Sequence, residues 1–180
     1  DDVRIGGERQ TRLAGRLALP LEKALREAKR TTNWVEPDEA YEAAVERWVR
    51  GLYANEAFLA DFEPFAAAVA GAGDRAALGQ LLLKLTVPGL PDIYQGDELP
   101  ALSLVDPDNR RAVDWDLRRE QLAALRAGAK PTDANRKLWL IERLLALRAR
   151  RPEPFDGDYT PLEAGQDAVA FLRGGDVLVA

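Results

Sequence analysis

LLLKLTVPGLPDIYQGDEL, residues 81–99, changes character halfway along. Leu78, Leu81, Leu82 and Leu85 recur at the three- and four-residue spacing of one helical face. Thr86-Val87-Pro88-Gly89 then stops the pattern, because proline lacks an amide hydrogen and glycine accepts the backbone that ends a helix. Asp92-Ile93-Tyr94-Gln95, held between Pro91 and Gly96, reads as a short buried strand. Beyond it, Leu99 to Trp115 reads as a long loop tied down by its prolines and aspartates. Residues 91–111 gather carboxylates, two amides, a tyrosine and two arginines, all groups that grip hydroxyls.

Upstream the pattern is helical. Leu21, Ala24, Leu25 and Ala28 continue a weaker stripe from Leu13 and Leu17 and predict a helix broken or kinked near Pro20. Tyr41, Ala44, Val45, Trp48, Val49 and Leu52 share a face opposite Glu42, Glu46, Arg47 and Arg50, and Pro37-Asp38 marks the start of that helix. Phe58, Leu59, Phe62, Phe65 and Val69 predict a further arm, with two shorter helices meeting at Pro64 and a turn at Gly71-Ala72-Gly73-Asp74. Trp48 and Trp139 lie on apolar faces and are expected in the core, whereas Trp34 stands in a polar loop as a candidate stacking surface.

Downstream, helices are expected around Arg118–Ala127 and Asn135–Arg150. The second carries Leu138, Ile141, Leu144, Leu145 and Leu147, and the arginines at 148, 150 and 151 read as its dipole-favoured C-terminus. Ala168–Leu172 and Val177–Val179, joined by Arg173-Gly174-Gly175-Asp176, read as a β-hairpin. The fold class is therefore mainly α with short strands.

Composition excludes several chemistries. The 180 residues are 47% hydrophobic with a net charge of -5, which suits a globular protein with a core and argues against nucleic acid as a partner. Charges interrupt every apolar run before it could span a membrane. With neither Cys nor His, the chain has no disulfide, no thiolate or imidazole metal site and no Ser-His or Cys-His pair, and Ser103 is the only serine. Chemistry then rests on carboxylates, Tyr, Lys and Arg, with no cofactor and no metal, as in glycoside or phosphoryl-transfer enzymes. Without Met or a signal peptide, and ending inside a strand, the chain is expected to be a piece of a longer, cytoplasmic protein.

PGLPDIYQGDEL resembles the last barrel strand and following loop of the α-amylase superfamily of glycoside hydrolases and transglycosidases, and DPDNRRAVDW resembles the next loop. In the order LEKALREAKRTTNWVEPDEAYEAAV, LLLKLTVPGLPDIYQGDEL, SLVDPDNRRAVDW, the chain is similar to the maltooligosyl trehalose synthase family within that superfamily, over residues 16–180. The resemblance implies the C-terminal part of a (β/α)8 barrel with a helical insertion and the start of a β-rich domain. Residues 1–87 would be the helical insertion, 88–152 the last barrel strand, active-site loop and closing helices, and 153–180 the β-rich start.

The reaction so implied rearranges the reducing-end α-1,4 bond of a maltooligosaccharide to an α,α-1,1 bond. The family's nucleophile and acid/base precede this segment. Its third carboxylate lies just upstream of an acidic-Val-Arg segment that Asp1-Asp2-Val3-Arg4 matches, with residues 5–12 shortened. No catalytic residue is therefore expected here, and the piece alone should be inactive, should expose apolar surface and could self-associate. The implied substrate contacts are Tyr94, Gln95, Asp97 and Glu98 at the strand end, Asp106, Asp108, Asn109, Arg110 and Arg111 in the loop, and Trp34. Taken by themselves, Asp106-Pro107-Asp108-Asn109 read first as an ordinary turn bonding its own backbone. Another glucosidase or transglycosidase of the superfamily, or a non-catalytic helical interaction module, remains open, and the helical insertion around 30–42 is what separates them.

Overall fold

The computed structural model describes residues 8–180, with side chains from residue 11. The Asp1-Asp2-Val3-Arg4 match lies outside the described residues, as does the first part of the 5–12 stretch. The described chain forms two compact units: residues up to Ala72 with Leu102–Ala112, and Gly73–Ala101 with Val113–Ala180. Six helices and three strands are described: α1 Glu8–Ala28, α2 Glu39–Leu52, α3 Glu56–Thr86, α4 Trp115–Arg126, α5 Arg136–Arg150, α6 Pro152–Asp156, β1 Tyr159–Leu162, β2 Ala170–Arg173 and β3 Val177–Val179.

In the first unit, α1 runs without interruption through Pro20, where the sequence predicts a break or kink. An interior proline costs about 3 kcal/mol of helix stability. Here tertiary contacts grip the helix on both sides of it, Arg16 reaching Asp108 before the proline and Arg26 reaching Glu42 after it. The α2 start lies where Pro37-Asp38 puts it: the Asp38 carboxylate accepts from the Tyr41 amide at 3.0 Å, satisfying a donor that the first helical turn leaves bare.

Two expectations fail in this unit. Trp48 is not core but 65% exposed, and its neighbour Val49 takes the buried position on α2. Periodicity groups side chains on one face without saying that anything lies against that face. The predicted pair of helices meeting at Pro64, with a turn at Gly71–Asp74, is instead the single 31-residue helix α3. Phe58 stacks on Phe62 with centroids 5.4 Å apart and Phe62 meets Phe65 at 6.4 Å, so ring contacts along one face bridge the proline. The glycines cost only about 1 kcal/mol each in a helix otherwise rich in alanine. The boundary between the units nevertheless falls inside this glycine-containing stretch, between Ala72 and Gly73.

In the second unit α5 carries the core on two sides. Ile141 packs with Leu81 and Leu85 of α3, joined by Ile93, Leu140 and Leu144. Leu138 packs with Leu125 of α4 and with Leu99, joined by Leu122 and Trp139. The predicted strand at Asp92–Gln95 is not formed: residues 92–94 belong to no regular element and the chain turns at Gln95. A strand exists by pairing, and the described strands pair only with one another, in the order β1-β2-β3. Ile93 still packs against the core.

The predicted hairpin is present, with Phe171 opposite Val179 and Leu172 opposite Leu178. Its three-residue loop, Gly174-Gly175-Asp176 between the paired Arg173 and Val177, opens with φ of +55° and +69° at the two glycines, left-handed backbone that glycine adopts at no steric cost. A Cβ on Gly174 would also lie 2.7 Å from Pro154 Cα, so no other residue fits there. The sequence reading missed α6 and β1, the strand that completes the sheet against β2.

Beneath the sheet, Arg173 is 1% exposed and donates to the Thr86 carbonyl at 2.9 Å, to the Phe155 carbonyl and to the Gly157 carbonyl at 3.2 Å. Arg148 donates to the Leu85 carbonyl at 3.0 Å and lies over the Phe155 ring. Arg148 and Arg150 lie in the last turn of α5, where the dipole argument puts them, and Arg148 serves the carboxyl end of α3 as well. Arg151 pairs with Asp176. No described helix is long and apolar enough to cross a membrane.

Candidate functional site

The loop Leu102–Ala112, in the first unit, is built around Asp108, which is 7% exposed. Arg16 of α1 meets both carboxylate oxygens in fork geometry, Nε to Oδ1 at 2.9 Å and Nη2 to Oδ2 at 2.8 Å. The Leu104 amide donates to Oδ2 at 2.7 Å, and Arg111 Nε stands 3.3 Å from Oδ1. Hydrogen bonds from Arg16, opposed by burial and helped by the Leu104 amide, hold the Asp108 carboxyl far below its ordinary range, and the same pairing raises Arg16.

Arg111 braces the loop from within. Its Nε donates to the Asp108 carbonyl at 3.1 Å, and its Nη2 reaches Ser103 Oγ at 3.2 Å. Asp106 accepts from Lys23 of α1 at 2.9 Å and pairs with Arg110 Nε at 2.5 Å, contacts that lower its pKa, the Lys23 hydrogen bond foremost. A single 3-10 turn, Asp108–Arg110, leaves Asn109 and Arg110 facing outward, the Arg110 side chain 73% exposed. Of the loop residues singled out in the sequence, Asp106, Asp108, Arg110 and Arg111 are therefore brought together, and Asp108 and Arg111 act as internal braces.

Tyr94 to Glu98 belong to the second unit and form a tight turn, the Asp97 amide donating to the Tyr94 carbonyl at 2.9 Å. Gly96 makes it possible, with φ of +91° and a hypothetical Cβ only 3.1 Å from Val113 Cγ2. Arg118 of α4 clamps the turn, donating to the Gly96 carbonyl at 2.5 Å and to Glu98 at 3.3 Å. Glu98 is thus engaged. Tyr94 and Gln95 are exposed and Asp97 half-buried, and none of the three engages a described side chain.

Trp34 is 55% exposed, with the Arg26 guanidinium 5.1 Å from its ring centroid. Arg26 belongs to a network that sequence reasoning missed. It donates to Glu42 through Nε at 2.8 Å and Nη2 at 2.7 Å, while the buried Thr32 hydroxyl donates to the same carboxylate at 2.5 Å and accepts from the Asp38 amide. Arg26, then Thr32, hold Glu42 at about 2. This clamp joins α1, the 29–38 loop and α2. Arg16 and Lys23 were missed as well. Their spacing of two helical turns puts them on one face of α1, but only the fold shows what that face meets.

No family model matches the chain. Two proteins bearing the name maltooligosyl trehalose synthase, from Mycobacterium tuberculosis strains CDC 1551 / Oshkosh and ATCC 25618 / H37Rv, are each 41% identical over 181 residues, 98% of this chain and 22% of theirs. A crystal structure of a maltooligosyl trehalose synthase matches 93% of this chain and 24% of its own, with a TM-score of 0.84 and 30% identity. The chain belongs to the maltooligosyl trehalose synthase family. The family's Arthrobacter ramosus structure agrees, at 36% identity and TM-score 0.78 over 89% of this chain and 22% of that one. The chain thus spans about a fifth of the length of the family members it matches, and within that span it shares their mostly helical fold with its small sheet.

Proposed function

We propose that the chain supplies substrate-gripping residues to an enzyme that converts the reducing-end α-1,4 bond of a maltooligosaccharide to an α,α-1,1 bond within one molecule. What carries this reading is the match to maltooligosyl trehalose synthases over 98% of the chain. In the reaction, a carboxylate attacks the anomeric carbon of the penultimate glucose while a carboxylic acid protonates the departing 4-oxygen. The freed glucose turns in place. Its own anomeric hydroxyl, deprotonated by the same acid/base, then displaces the carboxylate. Atoms balance without water, and two displacements retain configuration.

The carboxylates that attack and protonate lie, on this reading, outside the chain, and residues 88–152 line the rim of the barrel that holds them. The chain's part is to keep the freed glucose from leaving. In the first unit Arg110 and Asn109 point outward from a braced loop; in the second, taken by itself, Tyr94, Gln95 and Asp97 offer an aromatic edge, an amide and a carboxylate that engage no described side chain.

The test is the protein carrying this chain, incubated with maltopentaose. A non-reducing product of unchanged mass supports the reading, and release of glucose alone refutes it. Arg110→Ala removes charge-assisted hydrogen bonds worth about 1.5–3 kcal/mol each, which should lower trehalose capping relative to glucose release by about 10- to 100-fold. An unchanged ratio with a lowered melting point would leave Arg110 as a surface brace. The chain by itself should be silent.

A further inference from the structure

Both oxygens of the Asp108 carboxylate are engaged by the protein itself: three hydrogen bonds reach them, and the Arg111 guanidinium stands beside Oδ1. Arg16 Nε at 2.9 Å and Arg111 Nε at 3.3 Å face Oδ1, and Arg16 Nη2 at 2.8 Å and the Leu104 amide at 2.7 Å face Oδ2. Its side chain is 4% exposed. Arg16 Nη2 also donates to the Leu102 carbonyl at 2.6 Å, so one guanidinium spans the start of the loop and its buried carboxylate. Two turns further along α1, Lys23 holds Asp106, whose other oxygen faces Arg110 Nε. That contact uses the inner edge of the Arg110 guanidinium and leaves its outer N–H donors to solvent.

We propose that Arg16 and Lys23 of α1 are positioning residues: through Asp108 and Asp106 they fix the loop so that Asn109 and the outer edge of Arg110 meet the substrate. Arg16 sets the backbone and Lys23 sets the anion on which Arg110 rests. Neither touches substrate. The inference rests on the proposed reaction, and it moves Asp108 from substrate contact to the hub that transmits the position of Arg16.

The experiment compares wild type with R16M, R16K, K23M, D108N and the R16M/D108N double variant, all in the protein that carries this chain. Capped product, glucose, KM and kcat for maltopentaose are measured together with the melting temperature. Misplacing a binding group by about 1 Å can cost about 100-fold. R16M is expected to lower the ratio of capped product to glucose about 10- to 100-fold. R16M/D108N should do no worse than either single change, because both break the same link. R16K should recover part of the ratio, since an ammonium keeps the charge and loses the fork. K23M, at a pair a third exposed, should shift the ratio the same way at an unchanged melting temperature.

Should R16M not fold, R16K and K23M carry the same comparison. A wild-type ratio in the folded variants overturns the inference even if their melting points fall, and so do additive effects in the double variant. A wild type that releases only glucose overturns the reaction and the inference with it.

Discussion

Replacing Arg173 by methionine should destabilise the second unit by about 2–4 kcal/mol. The side chain is 1% exposed and feeds three backbone carbonyls, at Thr86, Phe155 and Gly157. Methionine of similar length fills the space but donates nothing. The Thr86 and Phe155 carbonyls are the buried pair, and each orphaned acceptor costs about 1–3 kcal/mol, so the gross loss is about 2–6 kcal/mol. Against it stands the cost of burying the guanidinium, whose Nε already lacks a hydrogen-bond partner. Relief of that cost offsets part of the loss, which places the net in the lower half of the range.

For a domain of about 100 residues each kcal/mol moves the melting temperature by about 4–8 °C, so the transition should fall by about 10–30 °C. Hydrogen exchange read on peptides covering 81–90 and 170–180 localises the effect, which should appear in both although 87 positions separate Arg173 from Thr86. R173K should lie between, one ammonium reaching fewer of the carbonyls. A melting temperature indistinguishable from wild type would refute the reasoning, since the two carbonyls would then be satisfied without the arginine.

Glu42, held at about 2 against an ordinary 4.5, lends the Arg26 clamp stability that is complete above 4.5 and lost as pH falls toward 2. Acid titration of Trp34 fluorescence should show that loss, and E42Q should already lack the stability at neutral pH. Gly96→Ala forces a side chain into left-handed backbone against Val113 and should cost about 1–2 kcal/mol or more. Gly79→Ala, in the interior of α3 with open space around it, should stabilise by about 0.5–1 kcal/mol, and paired denaturation curves distinguish the signs. Asp38→Ala removes the α2 cap and should lower stability by about 1 kcal/mol, read by the same curves.

Local chemistry was legible where it acts over a few residues. Asp38 as a cap, Gly174-Gly175 as a hairpin turn and Leu81, Leu85, Leu138 and Ile141 as core all follow from rules that need no distant partner. The errors came where distant partners decide. Pro20 is tolerated because Arg16 and Arg26 are held from elsewhere, Trp48 is bare because nothing described lies over it, and Asp92–Gln95 is unpaired because no described strand runs beside it. The candidate loop was found by its composition, but composition could not divide it. Asp108 and Arg111 share the loop with Arg110, and only their partners show that Asp108 is buried and Arg111 tied back to the loop while Arg110 faces out. Arg16 and Lys23 carried no signal beyond a shared helical face.

The arginines beneath the sheet also order events in time. The last carbonyls of α3 find their donors in Arg148 and Arg173, the latter 87 positions further along the chain. A ribosome adding about 5–20 residues per second needs on the order of ten seconds to make that stretch. Until then the Thr86 carbonyl lacks its Arg173 donor and the last turn of α3 should fray, and the contact that closes it has a long loop to pay in entropy. Folding of the second unit should therefore finish from the β2–β3 hairpin, and a nascent chain arrested before Arg173 should show fast hydrogen exchange in the last turn of α3.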